Sequence, residues 1–484
     1  MEGSMNRRTL VKGAAAGTAA VALPTAAAQA AGLATGDKRV DVAVVGAGFS
    51  GLYAADRLRR AHRNVVLLEA NDRTCGRILN LPVAKGFQNV TEGGGEWVNP
   101  EMPHVRKLLK RFNLRLYQNY AKGRSTLIVD GKVSRYSGPV PAIPQEAKKE
   151  FLRGFLRLER MASSIPVDAP WTAKRALEWD SQTAQTWIED NMTVPLARSF
   201  AEQAIGGAGA WGTRDISLLF YLFVAAANGG PLNLVTLNQG ALSNRVVGGS
   251  QQLGLGLTKA LRNIIELKAP VTMIEHGGKT VRLTTPKGRW VADHVIIALS
   301  PTMTQQILFD PELPVDRNLS VQRTGNGAAI KAFPIYRKPF WRDKGLNGII
   351  QSNQYLPFIS FDNSPPNADV GVVLALIENE NARRLGAMSR HDRKAEILEG
   401  FAKAFGPKAR DPIGYVEHDW SKQPWIRGGA ASFFGPGLLT DYQYLFGNRI
   451  GRVHFAGTET ATQYWGTMEG AFAAGDRAAQ EVLS

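Results

Sequence analysis

A single cysteine, Cys75, in a chain of 484 residues excludes an internal disulfide framework and any cysteine-based metal site. Seven histidines are too few and too scattered to show ligand spacing, so no metal is expected. No apolar run reaches the roughly 18 residues of a membrane span, and no hydrophobic tail closes the chain at Ser484, so no stable membrane insertion is expected. Acidic residues are also in short supply. Against 58 Lys and Arg stand 42 Asp and Glu, a formal charge of +16. That excess could signal an anionic partner, but zinc-finger spacing, RNP-like aromatics and helix-turn-helix cues are missing. The bases are dispersed apart from short clusters at Arg57–Arg63 and Arg106–Arg111. They read as a solvated surface, with no nucleic-acid partner and no functional account of the charge.

What is present is an ordinary globular composition, 44% hydrophobic and 8% aromatic, long enough for two domains. The first 37 residues stand apart. Met1–Ser4 reads as a cloning remnant before a second start at Met5. Asn6-Arg7-Arg8-Thr9-Leu10-Val11-Lys12 and an Ala-rich run to Ala31, with Ala28-Gln29-Ala30 as a cleavage site, read as a twin-arginine signal. The expected location is therefore periplasmic or secreted, by a route that carries folded proteins with their cofactor loaded.

Val40–Val45 reads as a buried parallel strand, Leu52–Ala61 as a helix and Val65–Leu68 as a second buried strand, together a βαβ unit. Between the first strand and the helix lie Gly46, Gly48, Ser50 and Gly51, a turn that lets backbone approach a pyrophosphate at a helix N-terminus. Glu69, followed by Ala70, ends the second strand 69 − 51 = 18 residues past the last glycine, near the ~20 expected of a ribose-binding acid. An acid there favours a free 2′-hydroxyl, hence FAD or NAD. Residues 115–244 turn helical and rich in Trp and Phe, strand-like runs return at Val271–Ile274, Val281–Thr284 and His294–Leu299, and a further excursion spans 301–418. The expected architecture is α/β plus α+β: a discontinuous Rossmann-like cofactor domain (38–114, 245–300 and 419–484), the FAD-binding domain if the dinucleotide is FAD, with an inserted substrate domain of mixed sheet and helices (115–244 and 301–418).

Past Glu69 the chain reads Arg73-Thr74-Cys75-Gly76-Arg77, with arginines able to pair with pyrophosphate oxygens. Glu92-Gly93-Gly94-Gly95-Glu96-Trp97 then permits backbone to pass close to a flat ring. With Asp215–Leu218, VVGGSQQL at 246–253, Lys331-Ala332-Phe333, Lys338–Arg342, Phe455–Thr460 and Met468–Ala471, the chain resembles the flavin-dependent amine oxidases over nearly all its length after the signal. The resemblance implies bound FAD. Val271 would contact the adenine side through its backbone, and Gly94, Gly95, Glu96 and Trp97 would line the isoalloxazine. Gly457 and Glu459 would lie in the ribityl turn, Met468 at the pyrimidine edge, and Trp420 beside the ring. Lys331, flanked by apolar residues, would hold a water near the flavin N(5).

The departures from the family pattern also carry expectations. Gly429 falls where mitochondrial monoamine oxidases carry the flavin-linked cysteine, so FAD should be non-covalent. Ala430 and Thr467 replace two facing tyrosines, leaving a pocket wider or refilled by Trp465, Tyr464 or Phe433. The implied reaction is oxidative deamination of a small-molecule amine, with reoxidation by O2, giving hydrogen peroxide, or by a protein electron acceptor. A homodimer is the oligomer this reading allows. Rival readings are an L-amino-acid oxidase, which needs an inward arginine such as Arg214, Arg245 or Arg427, and a catalytically silent flavin binder.

Overall fold

The computed structural model describes residues 36–83, 89–99, 101–138, 140–236, 240–353, 355–442 and 447–484. The segment expected to be an export signal lies outside them. Among the described residues no helix is long and apolar enough to cross a membrane.

The strand Lys38–Val45 is buried along its second half and pairs in parallel with Val65–Leu68 on one side and Gly288–Ile297 on the other. Apolar side chains on both faces suit this central position, which demands cover on both sides. The full sheet has eight strands, running Ile265–Glu266, Val65–Leu68, Lys38–Val45, Gly288–Ile297, Val281–Thr285, Met273–Glu275 and Leu308–Asp310, with Val453–Phe455 also on Gly288–Ile297. Helices Phe49–Arg60, Gln251–Leu261 and Met468–Leu483 cover one face, burying Leu52, Leu58, Leu253, Leu257 and Phe472. Residues from the chain's beginning, middle and end thus share one core. The last helix and the first lie together although more than 400 positions separate them, which is the discontinuity expected from the motifs.

A second, seven-stranded sheet runs Gly414–Asp419, Ala329–Tyr336, Gly371–Glu378, Ile359–Asp362, Leu346–Ser352, Arg124–Val129 and Lys132–Tyr136. All eight residues of Ala329–Tyr336 are buried. Helix Arg390–Phe405 packs Ile397, Phe401 and Phe405 against this sheet. Helices between 145 and 235 form a third mass around Leu218–Ala227, a helix apolar on every side and accordingly buried.

Three local readings shift. Leu308–Asp310 joins the first sheet beside Met273–Glu275, so a strand of that sheet lies past the boundary expected at 300. The strand expected at Val271–Ile274 starts at Met273, leaving Val271 in the preceding loop. The strand expected at His294–Leu299 runs Gly288–Ile297, because it forms a hairpin with Val281–Thr285 whose turn needs Gly288 at φ +111°.

Candidate active site

A cavity of about 400 Å³ is lined by residues from both sheets. Glu69, Ala70, Asn71 and Val271, beside the first sheet, line it together with Lys331, Leu376, Glu378 and Trp420, beside the second, and Tyr464. Gly46, Gly48, Phe49 and Ser50 of the dinucleotide turn line it as well.

Each glycine of that turn has its own reason. Gly46 sits at φ +97°, and a Cβ there would lie 2.8 Å from the Ala298 carbonyl oxygen. A Cβ on Gly48 would meet no protein atom within 4 Å and would project into the cavity. Gly51 lets helix meet turn: its Cβ would fall 1.9 Å from the Gly46 oxygen. Gly51 therefore does not face the cavity, and its part is to let the helix dock. Replacing it with valine should yield soluble but colourless protein, or none; a normal flavin spectrum from Gly51→Val would contradict this packing.

The helix Phe49–Arg60 starts at Gly48 with no side-chain cap, so its first backbone N–H groups are left for an anion. The Ser50 hydroxyl, buried on the same wall, has no hydrogen-bond partner among the described residues. Glu69 accepts from the Ala47 and Asn71 backbone N–H groups at 2.6 and 2.8 Å, which fixes its carboxylate at the ribose end. Burial pushes that carboxyl above its ordinary value. An open cradle, an uncapped helix and an orphaned hydroxyl fit a dinucleotide pyrophosphate.

The glycine run is pinned through its carbonyls. Lys331 Nζ donates to the Glu92 and Gly94 oxygens at 3.2 and 2.8 Å, and Trp420 Nε1 donates to the Gly93 oxygen at 2.7 Å. Behind the run, Glu92 forms a buried ion pair with Arg245 at 2.6 Å and accepts from the Ser250 N–H. Gly94 is needed because a Cβ would sit 2.1 Å from the Arg77 oxygen. The VVGGS stretch thus serves as a brace, with the Ser250 hydroxyl donating to the Gly95 oxygen at 2.6 Å. Gly94, Gly95, Glu96 and Trp97 all line the cavity.

Lys331 is buried, 3.4 Å from Glu96 and 5.1 Å above the Trp97 ring. Burial lowers its pKa, with Glu96 and Glu92 opposing that fall. Such an amine can exchange protons closer to neutrality than a surface lysine.

At the far end the expected contributors part company. Ala430, Tyr464, Thr467 and Met468 line the cavity, as do Gly457 and Trp420. Thr467 caps the last helix, its hydroxyl accepting from the Gly470 N–H. Trp465 does not refill the pocket. It is 1% exposed and packed edge-on among Trp211, Phe220 and Phe434, its indole donating to the Glu459 oxygen. Phe433 is also elsewhere, its ring lying against Gly325 in the pair Thr324–Asn326 and Ser432–Phe434. Glu459 sits behind the cavity wall. Its carboxylate takes a bidentate bond from Arg77 at 2.6 and 3.0 Å and another from the Ser432 N–H. Arg77 is therefore engaged with Glu459 and the Ala430 oxygen rather than free for pyrophosphate.

Trp425, Ile426, Asn228 and the turn Gly207–Ala210 line the cavity without having been anticipated, as does Glu378. Sequence offers no signal for the last, which reads as the polar end of an apolar strand. Burial pushes the Glu378 carboxyl up to about 8, with the Lys331 charge pulling the other way. At pH 7 it holds its proton in the folded protein while the unfolded chain has lost it. Such a group costs stability increasingly as pH rises from its unfolded value towards 8. Glu378→Gln should therefore raise Tm at pH 8 and do little at pH 5; a shift equal at both would contradict the assignment.

None of the arginines an amino-acid oxidase would need faces this space. Arg214 and Arg427 are exposed, and Arg245 is tied to Glu92. Among the described residues Arg77 is the cavity's arginine, and its guanidinium is already spanned by Glu459.

The family model for flavin containing amine oxidoreductases matches residues 49–483. The chain is 33% identical over 449 residues to flavin-containing amine oxidase A of Bos taurus, covering 92% of this chain and 85% of that protein. It is 32% identical over 450 residues to flavin-containing amine oxidase B of Homo sapiens, covering 92% and 86%. Among solved structures, putrescine oxidase bound to putrescine superposes with a TM-score of 0.88 at 31% identity, over 93% of this chain and 100% of that one. Cyclohexylamine oxidase from Brevibacterium oxydans superposes with a TM-score of 0.86 at 30% identity, over 92% and 98%. The chain belongs to the flavin-containing amine oxidoreductase family.

Proposed function

We propose that the chain is an oxidase carrying out FAD-dependent oxidative deamination of a small-molecule amine. The observation that carries this is one continuous cavity joining the dinucleotide turn, the pinned glycine run, Lys331 and the aromatic wall of Trp420 and Tyr464. FAD would be held by Glu69, Ala70 and Val271 at its adenosine end, by the turn Gly46–Ser50 at its pyrophosphate, and by Gly94–Trp97, Gly457 and Met468 at its ring. When bound, the flavin supplies a two-electron acceptor for a hydride equivalent from the amine α-carbon, leaving an imine that water converts to an aldehyde or ketone.

The residues of this chain do the rest. Trp420, Trp425, Ile426 and Leu376 exclude water and present apolar surface to the substrate's carbon chain. The N-terminus of Met468–Leu483, opening on the cavity, favours negative charge on the reduced ring. Lys331 would hold a water or a proton at its Nζ beside the ring. Ala430 and Thr467 leave room for an amine larger than one caged between two aromatic faces.

Non-covalent FAD is supported by glycine at position 429 and by the place of Cys75, buried next to Gly76 at the pyrophosphate end. Reoxidation by O2, giving hydrogen peroxide, or by a protein acceptor belongs to the same reading, and so does folded export, which rests on Asn6–Lys12, the Ala-rich run to Ala31 and the Ala28-Gln29-Ala30 site. Anaerobic mixing with amines of graded size, with and without an α-carboxylate, tests the proposal. Amines without the carboxylate should bleach the flavin band. Persistent yellow with every amine would mean a silent binder, and bleaching confined to α-amino acids would mean an amino-acid oxidase.

A further inference from the structure

Three acids line the cavity: Glu69, Glu96 and Glu378. Glu69 is claimed by two backbone N–H groups. Glu96 accepts from Asn363 at 3.0 Å and faces Lys331. The Glu378 carboxylate has neither hydrogen bond nor ion pair among the described residues. It is the last residue of Gly371–Glu378, whose register with Ala329–Tyr336 sets Glu378 opposite Ala329 and Leu376 opposite Lys331. Side chains alternate along a strand, so Ala329, Lys331, Leu376 and Glu378 share a face, and all four line the cavity. Glu378 is diagonal to Lys331, roughly 7 Å away at Cβ. Lys331 is turned to Glu96 and the glycine-run carbonyls, not to Glu378.

Among the described residues no donor is bonded to the Glu378 carboxyl, and Lys331 acts on it only through its charge. The turn beyond it is small, and a Cβ on Gly207 would already lie 3.4 Å from Glu378 Oε2. Leu376 is its apolar neighbour on the strand. A carboxyl group left unpaired in such a wall lowers stability, and a ligand that brings the missing partner recovers that energy on binding. A cation satisfies both the charge and the hydrogen-bonding need of a carboxylate more strongly than a neutral donor does.

We propose that Glu378 anchors a second basic nitrogen of the substrate, so that this site prefers diamines, or amines carrying another cationic group, over simple alkylamines. One nitrogen is held at Glu378 while the other presents its α-carbon at the Lys331 and Trp420 end. This rests on the oxidase reading above. The acid is what selects: apolar walls bind either substrate's methylenes, while the protonated Glu378 carboxyl can pass its proton to a neutral terminal amine and hold the resulting ammonium as its ion pair, which a terminal methyl cannot form. Glu378 is a specificity-determining residue in this account, not the acceptor of the reacting amine's proton.

The test compares straight-chain diamines from 1,3-diaminopropane to 1,6-diaminohexane with the alkylamines of equal length, using FAD-loaded protein and following flavin reduction. In the wild type, kcat/KM for the best diamine should exceed that of its matched alkylamine by tenfold or more. In Glu378→Gln that ratio should collapse towards one, mainly through a rise in KM for the diamine. A wild type without preference overturns the proposal, whether or not the variant retains FAD. A variant that keeps the wild-type ratio, including one that loses both substrates equally, also overturns it. Failure of every amine to reduce the flavin would instead defeat the underlying oxidase reading.

Discussion

Arg77→Ala should cost about 3–5 kcal/mol of stability and release FAD, because it strands a fully buried carboxylate. Glu459 is 0% exposed at its side chain, and burial works against its charge; Arg77 nevertheless holds the carboxyl below its ordinary value. The pair is bidentate and joins segments 382 positions apart, one after the dinucleotide turn and one before the last helix. Arg77 also donates to the Ala430 oxygen, so the same guanidinium fixes the cavity's lining at Ala430. Thermal melting should show a fall of several degrees. Arg77→Lys should recover only part, since an ammonium cannot span both oxygens. A coupling near zero in a double-mutant cycle with Glu459→Gln would show that the two ends are joined by other contacts.

Lys331→Met should leave the protein folded and yellow but lower turnover by a factor on the order of 10²–10⁴, the range of a lost proton-handling group. Methionine keeps the length and apolar body while removing the amine. Nζ bonds the Glu92 and Gly94 carbonyls as well, so a structural role must be separated from a chemical one. The separation lies in pH. Burial lowers the Lys331 pKa, so its titration should appear as a limb in the wild-type rate profile below the range of an ordinary lysine. The variant should lose that limb and keep its flavin spectrum. Turnover within a factor of about two of wild type, or an unchanged pH profile, would place the chemistry elsewhere.

The cofactor end of this site was legible because its residues obey local rules. The glycines of the 46–51 turn announce themselves by spacing, and the strand–turn–helix context is written in the flanking apolar runs. Lys331 could be placed inward because its neighbours on both sides are apolar, and the strand Ala329–Tyr336 is in fact buried throughout. The substrate end was legible only in part. Trp465 and Phe433 were both candidates to refill the space left at Ala430 and Thr467. Which of two neighbouring aromatics faces a cavity depends on the backbone of the intervening turn, and Tyr464 at φ +52° points in while Trp465 packs into the helical core. Glu378 was hidden for a different reason. Its direction is set by its register against Lys331, a long-range pairing that no local pattern encodes. The strand Leu308–Asp310 shows the same limit, since its pairing with Met273–Glu275 crosses what composition suggested was a boundary.

The account depends on a dinucleotide cradle at Gly46–Ser50 and a ring site at Gly94–Trp97 being filled by one releasable FAD. The most direct measurement is the absorption spectrum of the purified protein before and after acid precipitation. It should show a flavin band that passes wholly into the supernatant, in one equivalent per chain, as FAD. Protein that is colourless and takes up no added FAD, or flavin that stays with the pellet, would contradict it.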